Sequence, residues 1–409
     1  MKRTFLLTTL TLLIFAGLAA ASMELTSARV YVKQHEYGKA LQFYDQALQK
    51  EPDNLEAHEE RGEVLHTIAS DTSLAELAKQ IATDKANPQP ELYDRMLADF
   101  KLAQTPHKSG DDGVIKKLTK KIDTILENTW DHFYFLALKD DSSFADTKDK
   151  SKQFAALHDL DLAIKVLPTK WNAYGFKAQI LTKMDSTAAS AENWKLALKY
   201  NTEADKSKLE DKAKLQYTEG AAIARESLLI DYYNLGRSND VLALADEIMK
   251  SDPGNLNAIQ LKANTLAKLA GDTTLPAARR DSMKTVAITA LQSAASAVKD
   301  TASLADIEYT IGQFKLQVAD TADALTAFAN ALKYNPKDKD VLFIMGVLYL
   351  EGGSHADLPK ARDTFKELTD LDAENGPAWI DYGVALARLG DTKAGADAIK
   401  KGKALSGAK

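Results

Sequence analysis

The sequence contains no cysteine. That excludes disulfides, a thiol nucleophile, a thiolate metal site and a lipoprotein acylation site. Proline and glycine are scarce, at 10 and 20 of 409 residues, too few for a chain dominated by loops. Strand-type alternation is almost absent while alanine and leucine abound, so the chain reads as all-α. Chemical signatures are missing too. The seven histidines (His35, His58, His66, His107, His132, His158, His355) form no HExxH or other ligand spacing, and there is no GxSxG, P-loop or GxGxxG. No catalytic residue, metal site or cofactor is expected, and the chain reads as a non-enzyme. At 45% hydrophobic and 27% charged, its composition is that of a folded soluble protein.

The first residues stand apart. Lys2 and Arg3 precede an apolar run from Phe5 to Ala20, and Ala19-Ala20-Ala21 supplies small residues before Ser22. This is the layout of a secretory signal peptide over residues 1–21, and it is short for a membrane span. Its removal takes the two charges of Lys2 and Arg3, so the formal −6 becomes −8. An exported protein, periplasmic or associated with the cell envelope, is expected. It has no membrane span after cleavage, and its acidity disfavours nucleic acid as a partner. Oligomeric state is not legible.

What is present is a recurring helical joint, clearest at Ala322–Tyr349. Ala324, Phe328 and Ala331 share one helix face, small–large–small. Asn335-Pro336 ends that helix, because proline lacks the N–H and disfavours helix in the residue before it. Leu342, Met345, Gly346 and Tyr349 line the next. Ala40, Tyr44, Ala47 and Pro52 repeat the pattern, with Gly62 and Leu65 in the places of Gly346 and Tyr349. So do Ala156, Leu160, Ala163 and Pro168, then Ser190, Trp194 and Ala197, and Ala361, Phe365 and Leu368. Starts at 171, 222, 256, 305, 339 and 376 are separated by 51, 34, 49, 34 and 37 residues.

This pattern resembles the tetratricopeptide repeat, a helix–turn–helix unit of about 34 residues. The resemblance implies a TPR-type α-solenoid, a right-handed superhelix of helix–turn–helix hairpins with insertions. The expected organisation is N-terminal units over 22–69, an irregular helical region over 70–170, and units over 171–255 with a linker around 201–208. A C-terminal array follows over 256–409. A helix is expected over Leu74–Ala86, another from Val114 toward Trp130, a polar stretch over Lys139–Ser151, and an insertion from Gly271 to Met283 before a helix from Lys284 to Lys299.

The resemblance also implies a scaffold that binds a peptide or partner helix along the first helices of the hairpins. The residues off the packing stripe there are Tyr233, Asn234, Gln260, Asn264, Lys268, Tyr309, Gln313, Gln317, Phe343, Val347, Ile380 and Val384. The amides suit a peptide backbone, and Phe343, Val347 and Ile380 suit an apolar anchor. Lys116, Lys117, Lys120 and Lys121, like Glu56, Glu59, Glu60 and Glu63, read as solvated helix faces. His58 and His66 read as an isolated surface pair. The rival reading is an enzyme or ligand carrier with its site in 70–150 or 271–283, since insertions in repeat proteins often carry function.

Overall fold

The computed structural model describes residues 23–207 and 209–407. The expected signal segment lies outside them. Among the described residues every regular element is helical. The chain divides into two compact units. One takes the residues up to Ser186 with Lys195–Gly220, and the other takes Thr187–Trp194 with Ala221 onward.

The first unit holds α1 (23–33), α2 (Tyr37–Lys50), α3 (Leu55–Ser70), α4 (Ala75–Ile81), α5 (Gln89–Ala103), α6 (Asp112–Thr147), α7 (Lys150–Val166) and α8 (Trp171–Lys183). The division falls within α9 (Thr187–Glu203) and α10 (Asp211–Asn234). The second unit continues with α11 (Ser238–Ser251), α12 (Leu256–Ala270), α13 (Ala277–Ala297), α14 (Thr301–Gln317) and α15 (Thr321–Tyr334). It ends with α16 (Lys339–Glu351), α17 (Leu358–Leu371), α18 (Gly376–Arg388) and α19 (Thr392–Gly407).

Three hairpins are closed by a phenylalanine ring seated on a glycine, and the α18–α19 hairpin by glycine on glycine, Gly383 against Gly395. Phe328 of α15 is fully buried and lies over Gly312 of α14, where an added Cβ would stand 2.6 Å from the ring. Phe365 of α17 covers Gly346 of α16 in the same way. Burying such a ring contributes about 1.5–3 kcal/mol, and glycine lets the two helix axes come close enough to do it. Between α10 and α11 the sizes are reversed at the same spacing, with buried Leu229 on the first helix and Ala245 on the second. The joint at Ala322–Tyr349 is thus the second helix of one hairpin and the first of the next.

Short polar signals set the helix ends. Asn54, Asn255 and Asn375 each accept a 3.0 Å hydrogen bond from the backbone N–H three residues on, capping α3, α12 and α18. Asp338 caps α16 through the N–H groups of Asp340 and Val341. His35, Asp185, Gly236, Ala319 and Gly390 all have positive φ, each two residues before a second helix begins.

The structure corrects several expectations. The irregular region contains a regular hairpin: Phe100 of α5 covers Gly62 of α3, and the intervening segment is an insertion carrying a 3₁₀ turn over Thr72–Leu74 and the short α4. Helix over Leu74–Ala86 is therefore reduced to Ala75–Ile81. The polar stretch Lys139–Ser151 is largely helical. Its residues up to Thr147 continue α6 beyond Ala137, the last buried residue of that helix, and Lys150 and Ser151 begin α7. Asn201–Glu203 belong to α9, where Asn201 is buried and donates to the Tyr217 carbonyl at 2.9 Å, so the linker is shorter than 201–208. The insertion at 271–283 is half consumed by α13, which starts at Ala277 behind Pro276 and stops at Ala297 rather than Lys299.

Candidate partner-binding row

In the second unit the first helices stand side by side. Glu226 of α10 accepts a 2.7 Å hydrogen bond from Asn255 at the start of α12. Helices α12 and α14 pack together, as do α16 and α18, where Arg388 donates to the Leu350 carbonyl at 3.0 Å. Tyr309 of α14 lies close enough to Asp340 and Asp338 of α16 to feel both charges. Its hydroxyl is pushed up in pKa, first by burial and then by those carboxylates, and it accepts a 2.7 Å hydrogen bond from Gln313.

None of the twelve sequence-nominated residues is buried. Tyr233, Asn234, Asn264, Lys268, Gln313 and Gln317 are exposed, and Gln260, Tyr309, Phe343, Val347, Ile380 and Val384 are half-buried. They are not equivalent. Gln317 lines a cleft of about 580 Å³ with Lys284, Thr285 and Ile288 of α13, which draws it off the row. The apolar end is more committed to packing than the sequence suggested. Phe343 meets Phe365 edge-on at 6.0 Å, Ile380 rests against Gly402 of α19, and Val347 and Val384 pack on the same core. The freely exposed apolar side chains are instead on α10: Ile223 at 52%, Ile230 at 42% and Tyr233 at 37%. Ile223 and Ile230 lie seven residues apart, off the Leu228–Leu229–Tyr232 stripe. That spacing was the available signal.

The first unit differs. Its acidic stripe on α3 is not a solvated face. Arg29 of α1 binds Glu60 at 2.8 Å and Glu56 at 3.1 Å, and Glu60 also accepts from the Tyr44 hydroxyl at 3.0 Å. Lys121 of α6 bridges Glu59 at 2.9 Å and Glu63 at 2.8 Å, so it leaves the solvated group of lysines. Glu59 is buried, and that burial pushes its carboxyl up to about 7 against the opposing pull of Lys121. Nor are His58 and His66 a surface pair. His58 is buried, with Nδ1 2.8 Å from Asp99 and Nε2 2.8 Å from the Pro52 carbonyl. Arg61 joins Asp99 at 2.6 Å. His66 is partly buried and bonds Thr129 at 2.8 Å.

Among the described residues no group of three His, Asp or Glu side chains converges on a metal position, and no helix is long and apolar enough to cross a membrane.

Hairpins closed this way and stacked within each unit define an α-helical repeat protein. A model described as "TPR repeat" matches residues 28–68, and one described as "Tetratricopeptide repeat" matches 309–357. The chain thus carries tetratricopeptide repeats in both of its units. Repeats of this kind build interaction scaffolds, generally without catalysis, and imply protein partners. No curated protein matched the sequence. Among solved structures, the C-terminal part of a TPR repeat-containing protein from Cytophaga hutchinsonii is similar at 11% identity. That match covers 68% of this chain and 96% of that one, with a TM-score of 0.49. A structure of MamA is similar at 18% identity over 43% of this chain and 92% of that one, TM-score 0.35. A thermophilic TPR protein of Thermus thermophilus is similar at 15% identity over 53% and 99%, TM-score 0.35.

Proposed function

We propose that the protein is an exported scaffold of the bacterial periplasm or cell envelope that holds a peptide or partner helix along the first helices of its second unit. The supporting observation is the row itself. Helices α10, α12, α14, α16 and α18 lie in sequence, and the row they carry offers amides and apolar groups, exposed at Ile223, Ile230, Asn264 and Gln313 and half-buried at Gln260, Phe343, Val347 and Ile380. In the first unit, by contrast, Arg29 and Lys121 already occupy the equivalent carboxylates. Exposed amides answer a partner's backbone N–H and C=O groups, and apolar side chains that leave water contribute most of the affinity.

The test has two arms. Purification from the native host, followed by N-terminal sequencing, is expected to find a chain beginning at Ser22. A retained Met1 contradicts export with cleavage. The mature chain is then used as bait in an envelope extract beside an Asn264→Ala, Gln313→Ala variant. A partner held by wild type and lost or weakened at least fivefold in the variant supports the reading. Equal retention by both proteins overturns it.

A further inference from the structure

The row is chemically polarised. Its α10 end presents Ile223, Ile230 and Tyr233 to solvent. Glu226, on the same helix, is occupied by Asn255. The middle offers Gln260 and Asn264, with Lys268 as its cation. Beyond it come three carboxylates: Asp306 on α14, one turn before Tyr309, and Asp338 and Asp340 at the start of α16, interleaved with exposed Lys337 and with Lys339, which pairs with Asp372 at 3.3 Å. Asp338 is engaged in capping α16. Asp306 and Asp340 are exposed and carry no ion pair among the described residues. Tyr309 adds an aromatic face beside them, with its hydroxyl already accepting from Gln313.

From this polarity, and resting on the groove reading above, we infer that the partner is an extended basic peptide with an apolar anchor. Its apolar side chains lie over Ile223, Ile230 and Tyr233, and its lysine or arginine lies over Asp306, Tyr309 and Asp340. Two exposed carboxylates and an aromatic ring form a setting that attracts a cation and repels an acid. Packed helices are about 8–10 Å apart, so α10 and the α14–α16 boundary are separated by roughly 20–25 Å. An extended chain covers that in about seven residues. The spacing between anchor and cation is therefore part of the claim.

Two fluorescent dodecapeptides test it. Both carry Leu-Ser-Leu at one end. Seven residues on, one carries Lys-Ser-Lys and the other Glu-Ser-Glu. Fluorescence anisotropy is measured with the full mature chain, with folding of each variant checked by circular dichroism. The lysine peptide is expected to bind at least tenfold tighter at low salt, and the gap should narrow as salt screens the exposed charges. D306N with D340N should cost the lysine peptide at least fivefold and leave the glutamate peptide unweakened. Ile230→Ser should weaken the lysine peptide, and Glu367→Gln on α17 should change nothing. Equal binding of the two peptides, or a loss on E367Q as large as on D306N/D340N, removes the basic-ligand inference and leaves the groove. Failure of both peptides, or indifference to Ile230→Ser, removes the groove reading with it.

Discussion

Gly346→Ala is the smallest perturbation that interrogates how the hairpins close. In an exposed helix the change stabilises by about 1 kcal/mol, because alanine loses less backbone freedom. Here the new Cβ would stand 2.7 Å from two ring carbons of Phe365 and 3.0 Å from a third. The ring is fully buried and cannot swing aside without disturbing the α16–α17 contact. Overpacking of this kind costs about 1–3 kcal/mol. Because three contacts are involved and the ring is immobile, we place the cost in the upper half of that range, for a net loss of about 1–2 kcal/mol. Gly113→Ala provides the control. Nothing lies within 4 Å of its added Cβ, and it sits in the first turn of α6, so it should be neutral or stabilising. Urea denaturation followed by circular dichroism reads both. Adding Phe365→Leu to Gly346→Ala should cost less than the two single changes together, since the shorter side chain frees the space. A Gly346→Ala protein as stable as Gly113→Ala, or strict additivity with Phe365→Leu, would refute the ring-on-glycine account.

Four further outcomes follow from the same structure. Ala324→Leu should destabilise by about 1–3 kcal/mol in chemical denaturation, because Ala324 is fully buried against its neighbours. Ala319→Gly should raise the free energy of unfolding in urea by up to about 1 kcal/mol, because Ala319 holds φ 61°, which costs a residue with a Cβ and not glycine. Asp99→Ala should cost about 3 kcal/mol or more by leaving Arg61 and buried His58 without their shared carboxylate. Glu59→Gln tests pH. A carboxyl pushed up to about 7 binds its proton more tightly folded than unfolded, so the stability it adds is complete below about 4.5 and is lost as pH rises to about 7. Wild type should fall by at most about 3 kcal/mol across that window. The variant should stay flatter, and identical profiles would count against a buried, raised Glu59.

How much was legible in the sequence depended on whether a residue served packing or circumstance. Ala324, Phe328 and Gly346 announce themselves because stacked hairpins require small and large residues at fixed spacing. The same rule hid the α3–α5 hairpin, since the insertion carrying α4 separates Gly62 from Phe100 far beyond the usual interval. The pairing partners of Glu56, Glu59, Glu60 and Glu63 were out of reach for a different reason. Arg29 and Lys121 meet them only through tertiary stacking, which no local pattern records. The candidate row was legible as positions but not as exposure. Phe343 and Ile380 looked like free anchors, yet Phe365 and α19 cover them in part, while Ile223 and Ile230 passed as ordinary helix residues.

The most direct test of the row as a partner surface is site-specific photo-crosslinking in the native host. A photoreactive phenylalanine analogue is placed at Gln313 on α14 and, separately, at Lys333 on the second helix α15, both exposed. The account predicts a discrete crosslinked partner from position 313 and none from 333. The same partner captured equally from both positions, or from 333 alone, would contradict it.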